Sequence, residues 1–413
     1  MQINNNAQAT ASNSVYILLV FLLSPILAVF FSIRRYKEVW AKNIVWLFSA
    51  FYGFTFVIGN SGSDINRYKE RFDMLVDMQM SFKEYLELLR KENATDFLQP
   101  MLSYFTSLIT SDFRIWVMLS GVIFGFFFSR NIWNVLALGD KKPAWYGLLF
   151  IMVFSFIFAV WDINVMRFTI ATHIFIYGAF KLIVQKKRAG YIFLFLSPLM
   201  HFSFFIAIPV CILYRIIGNY TKAYFMFFIL SFMVSELNLS ALKSQLTFLP
   251  QTYREQSSGY LNEDYKEHRE SLSKNKNFRG KFYQSSLKWS VAILLAFIFF
   301  NRKKIADKKI LRNLFAFTLL FIGIFNIFSV IPSMNRFLFV GYLFAFALFY
   351  LYFNDRLTMS EKRIIYICTP LILFYFVMKL RIGLEFTGLF TVLGGPLSAA
   401  FNEGDIALIR FLK

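Results

Sequence analysis

The stretch VYILLVFLLSPILAVFFSIRRYKEVWAKNIVWLFSAFYGFTFVIG, residues 15–59, decides the fold. Two apolar runs, 15–33 and 43–59, flank a short segment that holds Arg34, Arg35, Lys37 and Lys42. A helix that crosses a bilayer needs roughly 20 mostly apolar residues, and cytoplasmic loops carry an excess of Lys and Arg. The stretch therefore reads as a crossing, an inner loop and a second crossing, with an uncharged N-terminus outside. Residues 1–14, MQINNNAQATASNS, have no basic region ahead of an apolar one and do not read as a cleaved signal peptide.

The same alternation continues along the chain. Further apolar runs lie at about 115–129, 144–160, 165–184, 191–214, 223–235, 287–300, 310–331, 335–353 and 364–381. The fold class is an all-α polytopic membrane protein, a single membrane domain over 1–413 with around ten to twelve crossings. Composition agrees: 57% of residues are hydrophobic and only 16% charged, against roughly 25% charged in soluble domains. The net charge of +20 would suit nucleic acid if the cations were pooled, but they sit in patches beside apolar runs, so nucleic acid is excluded as a partner. Cys211 and Cys368 both fall inside apolar runs and read as buried free thiols.

Sidedness produces two conflicts, and each has a structural answer. Residues 60–96 belong outside and 130–142 inside, yet two apolar segments, 97–110 and 115–129, separate them. The 14 residues of 97–110, at ~1.5 Å each, reach ~21 Å against a ~30 Å core. That segment is expected to be a re-entrant or surface helix. Likewise, one crossing by 191–214 would put the basic residues Arg302, Lys303, Lys304, Lys308 and Lys309 outside. A broken helical hairpin, bent near Pro198 and His201, removes the conflict, and broken helices occur in membranes where they are buried or line a cavity.

The outer face then carries 60–96 with an amphipathic helix over about 66–92, a large periplasmic loop 236–286, and the C-terminal tail 382–413. Charged residues at membrane depth are costly and mark pairs or functional sites. Asp64, Arg67, Asp162, Arg167, Arg336, Lys379 and Arg381 all fall at outer helix ends. Arginines converging there would make an anion site, because the guanidinium fork matches phosphate oxygens and keeps its charge when desolvated. Of three histidines, His268 lies in the polar loop and His173 reads as core, while His201 sits at the inferred break. An imidazole there suits a general base or a phosphate ligand. The chain has no GxxxxGK[ST], HExxH or CxxC, so no nucleotide-driven or zinc mechanism is expected.

Four motifs in order resemble the EpsG family of Wzy-like polysaccharide polymerases. They are Gly62, Asp64, Tyr68 and Phe72 in GSDINRYKERF; Asn164, Arg167 and Ala171 in DINVMRFTIAT; His201 and Ser203 in LMHFSFF; and Arg336 in SMNRFLF. One departure is Phe168, where the family often carries Gln. The resemblance implies a GT-C-like glycosyltransferase of the bacterial inner membrane with its active site facing the periplasm. Such an enzyme moves a growing glycan from undecaprenyl pyrophosphate onto a lipid-linked repeat unit and needs no metal or cofactor. Its implied partners are the undecaprenyl-pyrophosphate-linked oligosaccharide, membrane lipid and a chain-length regulator. On this reading Arg167, Arg336 and Arg67 bind pyrophosphate, and either His201 or Asp64 is the base. Tyr68, Asn164 and Arg381 contact substrate.

Two other activities compete. An O-antigen ligase would use similar Arg and His residues, but the Asp64–Tyr68 motif favours the polymerase. A lipid-linked oligosaccharide flippase is expected to show two similar halves, and the chain has none.

Overall fold

The computed structural model describes residues 15–59, 64–139, 141–234, 278–331, 333–355, 357–401 and 405–411. Gly62, His268, Pro332, Arg356 and most of the 236–286 loop lie outside them. The described residues are helical, with two isolated β-bridges. The first helices are α1 (15–23) and α2 (Pro25–Arg34), separated at Ser24, then α3 (Ala41–Phe54). Three short helices follow: α4 (Asp64–Met78), α5 (Phe82–Lys91) and α6 (Leu98–Ser107). Next come α7 (Phe113–Ala137), α8 (Trp145–Ile157), α9 (Met166–Ala179), α10 (Gly190–Met200), α11 (Ala207–Ile217) and α12 (Thr221–Ser231). The last part holds α13 (Phe278–Phe300), α14 (Lys309–Phe328), α15 (Arg336–Phe353) and α16 (Met359–Gly383), with short α17 (Leu389–Leu393) and α18 (Pro396–Ala400).

Among the described residues six helical stretches are long and apolar enough to cross a membrane, and this is a multi-pass membrane protein. One of them, Trp145–Val184, runs 40 residues and would measure ~60 Å if straight. It folds back instead. Phe150 of α8 packs on Phe353, Phe349 and Phe346 of α15, whereas Phe168 and Phe175 of α9 meet Phe337 and Phe344. Thus α8 runs against α15 and α9 runs with it, and the 3-10 turn Val160–Val165 reverses the chain.

The α10–α11 segment is also a hairpin. Gly178 of α9 abuts Gly190 at the start of α10, and Phe168 meets His201 at its end. After the 3-10 turn Phe202–Ile206, α11 returns, so that Tyr214 packs on Phe317 and bonds the Asn313 carbonyl at the opposite end of the bundle. Beside those six stretches stand four shorter apolar ones, Pro25–Arg34, Gly190–Met200, Phe202–Ile217 and Thr221–Ser231. The basic turns at 34–42, 130–142, 181–190 and 301–309 gather at one end, here called the basic end. Asp355 accepts from Lys141 and Lys308 there, and Glu361 from Lys304.

Helices in lipid gain little from the hydrophobic effect and rely on close packing at small residues. On the α3–α7 interface a Cβ on Gly121 would sit 2.4 Å from the Ser49 carbonyl oxygen. Only glycine permits that approach. The two helices lie antiparallel along most of their length, with Arg130 donating to Asn43 and Trp133 to the Tyr36 carbonyl.

The far end is closed by α4, α5 and α6, which share a small core of Leu75, Tyr85, Leu89, Met101 and Tyr104. The single amphipathic helix expected over about 66–92 is two helices. Gln79 takes φ 43°, and Ser81 starts α5 with a Ser–Glu84 capping box. The short α6 packs against α4 and α10 rather than spanning the bundle. Helix α13 begins at Phe278, inside the stretch read as outer loop. The tail does not hang free: Thr391 bonds Thr55, Tyr52 bonds Thr387, and Phe386 stacks on Phe56.

Candidate active site

The end away from the basic turns gathers five side chains around the start of α9. Arg167 lies in the first turn of that helix, just after the 3-10 reversal. Its Nε donates to the Tyr68 hydroxyl at 2.9 Å and its Nη1 to Asp96 Oδ2 at 2.8 Å. Tyr68 comes from α4, its ring set against Trp116 of α7. Because the phenol oxygen accepts from Arg167, its own proton remains to be donated. Burial pushes this phenol above its ordinary range, Arg167 pulls it back, and Asp64 adds to the rise, so Tyr68 stays protonated. Asp64 stands one turn earlier on the same helix.

Asp96 was not among the sequence candidates. It precedes Phe97, whose amide bonds the Leu199 carbonyl of α10. Its side chain is 4% exposed, and Oδ1 accepts from the Phe202 amide at 2.8 Å. One carboxylate therefore joins the cap, the start of α9 and the break after α10. Burial pushes the Asp96 carboxyl above its ordinary range, against the pull of Arg167 and the Phe202 amide. The sequence signal was weak: a lone Asp in a polar turn, with its partner 71 residues away.

His201 sits at the break itself in extended backbone (φ −151°, ψ 110°). The amide of Ser203 donates to Nδ1 at 3.3 Å, and the Ser203 hydroxyl lies 3.0 Å from the same nitrogen. A ring nitrogen that accepts carries no proton, so the neutral imidazole holds its proton on Nε2. The His201 ring meets Phe168 edge-on at 5.6 Å. Arg336, first residue of α15, lies over the same Phe168 ring at 4.8 Å and donates through Nε to the Ser333 carbonyl. The departure from the family pattern thus forms a platform between the imidazole and the second guanidinium. Proximity to a ring face stabilises Arg336 by about 0.5–2 kcal/mol.

The other sequence candidates fall differently. Arg67 pairs with Asp64 along the surface of α4, and its side chain is 71% exposed. Asn164 lies one turn before Arg167, its Oδ1 buried and without a partner among the described residues. Arg381 is exposed on the last turn of α16, and no bond to the Arg167 group is present among the described residues. Two residues earlier, Lys379 turns inward and donates to Asp162 Oδ1 at 2.8 Å. Asp162 Oδ2 in turn accepts from the Ala159 amide. That pair pins the reversal ahead of Arg167 to α16. His173 is buried deeper in α9, 3.0 Å from the Phe158 carbonyl. Both cysteines are free and buried.

Among the described residues no three His, Cys, Asp or Glu side chains gather where they could hold a metal ion. Chemically, the site offers guanidinium and phenol donors beside a carboxylate and an imidazole, which suits an anionic leaving group. Neither the curated proteins nor the solved structures gave a match to the chain. Against known families, residues 39–388 match the EpsG family, and the chain belongs to that family of Wzy-like polysaccharide polymerases, glycosyltransferase-type enzymes of the membrane.

Proposed function

We propose that this protein is a polysaccharide polymerase that transfers a growing glycan from undecaprenyl pyrophosphate to the sugar of a lipid-linked repeat unit. The observation that carries the proposal is the meeting of Arg167, Arg336, His201, Tyr68 and Asp96 at the end of the bundle opposite the basic turns. Basic turns favour the cytoplasmic side, which supports an inner-membrane protein with its site toward the periplasm.

In the transfer, an acceptor hydroxyl oxygen forms a bond to the anomeric carbon. The bond from that carbon to the pyrophosphate oxygen breaks, and its electron pair leaves with the pyrophosphate. Fixed cations stabilise the charge that develops there. Arg167 and Arg336 take this role, and their guanidinium charge does the work a metal ion does elsewhere. With its proton on Nε2, His201 is a donor to a phosphate oxygen. Asp64 is then the base that receives the acceptor proton, with Arg67 beside it at the surface. Tyr68 donates to a sugar or phosphate oxygen. Asn164 Oδ1 offers an acceptor to a sugar hydroxyl, and Arg381 stands at the rim where substrate enters. Asp96 is a positioning residue that sets the Arg167 fork.

The test is complementation of a strain lacking the gene, read as a glycan ladder. Wild type restores the ladder, while His201→Ala and Arg336→Ala leave single repeat units on the lipid. A ladder that survives deletion of the gene refutes the polymerase assignment.

A further inference from the structure

At the basic end, two cavities open between the turns, and their charges differ. One, of about 430 Å³, is lined by Lys141, Lys308 and Lys309 together with Asp355. Asp355 accepts from Lys141 at 2.6 Å and from Lys308 at 3.1 Å, so that cavity carries its own counter-charge. The other, of about 580 Å³, lies between the start of α12 and the 301–312 turn. Lys222, Arg302, Lys303 and Arg312 line it, and among the described residues no Asp or Glu does.

Its two arginines are held ready rather than neutralised. Arg302 donates to the Phe299 carbonyl and lies 4.6 Å over the Phe299 ring, and Arg312 donates to the Ala306 carbonyl. Carbonyl bonds orient a guanidinium without cancelling its charge. The first turn of α12, at Thr221 and Lys222, also lines the cavity, and no side chain caps it. Its amides add to the attraction for an anion. The flanks are apolar and outward-facing: Ile216 is 77% exposed, Phe300 75% and Tyr220 61%. These residues stand at the ends of helices in a membrane bundle, where acyl chains cover such surface.

We infer that this second cavity is a binding site for the phosphate group of an anionic phospholipid, with the acyl chains lying along Ile216, Phe300 and Tyr220. Basic pockets between membrane helices take phosphate headgroups through the same charges, and Arg adds a bidentate fit to phosphate oxygens. The site is separate from the Arg167 group, at the other end of the helices, so it neither uses nor competes with the glycan substrate.

The test titrates the full-length protein in detergent with phosphatidylglycerol and counts bound lipid by native mass spectrometry. Phosphatidylcholine is the neutral probe and inorganic phosphate the soluble competitor. Wild type is expected to bind phosphatidylglycerol over phosphatidylcholine, and millimolar phosphate is expected to leave it bound. The double variant Arg302→Gln, Arg312→Gln should bind about 30-fold more weakly, at about one kcal/mol per cation. Lys141→Gln with Lys308→Gln, at the other cavity, should bind as wild type does. Should the arginine variant fail to give a monodisperse protein, Lys222→Gln with Lys303→Gln, both at exposed residues, carries the same expectation. Equal binding by wild type and the cavity variants, or an equal loss in the Lys141/Lys308 variant, overturns the site. Displacement by inorganic phosphate overturns the lipid as its ligand.

Discussion

Asp96 Oδ2 accepts a 2.8 Å hydrogen bond from Arg167 Nη1, while Oδ1 of the same carboxylate accepts from the Phe202 amide. A side chain that is 4% exposed therefore couples the entrance of α9 to the residue next to His201. Fixing a guanidinium fork in this way removes the freedom it would otherwise lose on binding, which is how preorganised charge gains its catalytic effect.

Arg167→Ala is expected to abolish polymer while the protein still inserts. Removing one preorganised donor group typically costs about 10²–10³ in rate. Arg167→Lys should not rescue, because an ammonium cannot serve Tyr68 and Asp96 with a planar fork. Ladder intensity, normalised to protein in the membrane fraction, checks both. Full activity in Arg167→Lys would mean that only the charge matters.

Activity should fall on acidification at a higher pH than an ordinary aspartate allows. The Asp96 carboxyl is raised by burial, so its charge is present above that raised value and lost as pH falls through it. An unperturbed Asp titrates near ~3.9. The acid limb of the pH–rate profile with purified lipid-linked substrate is expected above that value. Asp96→Asn should lower the rate and shift that limb; an unchanged limb in that variant would assign it to another group.

Phe168→Leu should weaken polymer formation without unfolding the protein. The ring holds Arg336 over its face and His201 at its edge. Losing a cation–π contact of about 0.5–2 kcal/mol corresponds to a fall of roughly 2- to 30-fold. Phe168→Tyr, which retains the aromatic face, should restore most of the rate. Ladder length and intensity in the two variants separate the ring's role from simple loss of volume.

Lys379→Met should destabilise the fold more than the paired change does. Breaking one side of a buried ion pair costs about 3–5 kcal/mol, and both partners here are largely buried. Lys379→Met with Asp162→Asn removes both charges and should recover part of that loss. Thermal stability in detergent, followed by fluorescence size-exclusion chromatography, gives the comparison. Equal loss in the single and double variants would show that the charges do not interact.

Hydropathy and the spacing of Lys and Arg were enough to read the membrane class, the reversal near Pro198 and His201, and the non-spanning segment before α7. The physical reason is that a bilayer constrains each segment separately: about 20 apolar residues cross, and cations stay on one side. The family motifs singled out Tyr68, Arg167, His201 and Arg336 one helix at a time. The tertiary structure alone decided how they meet. Asp96 lies 71 residues before Arg167, in a turn with no periodic pattern, and only the packing of the cap against α10 brings it to the guanidinium. The same holds for Lys379, which faces Asp162 from 217 residues away, while Arg381, two residues on, faces outward. On a helix, neighbours two apart point to different sides, so which charge turns inward is set by the orientation of α16 in the bundle and not by its sequence.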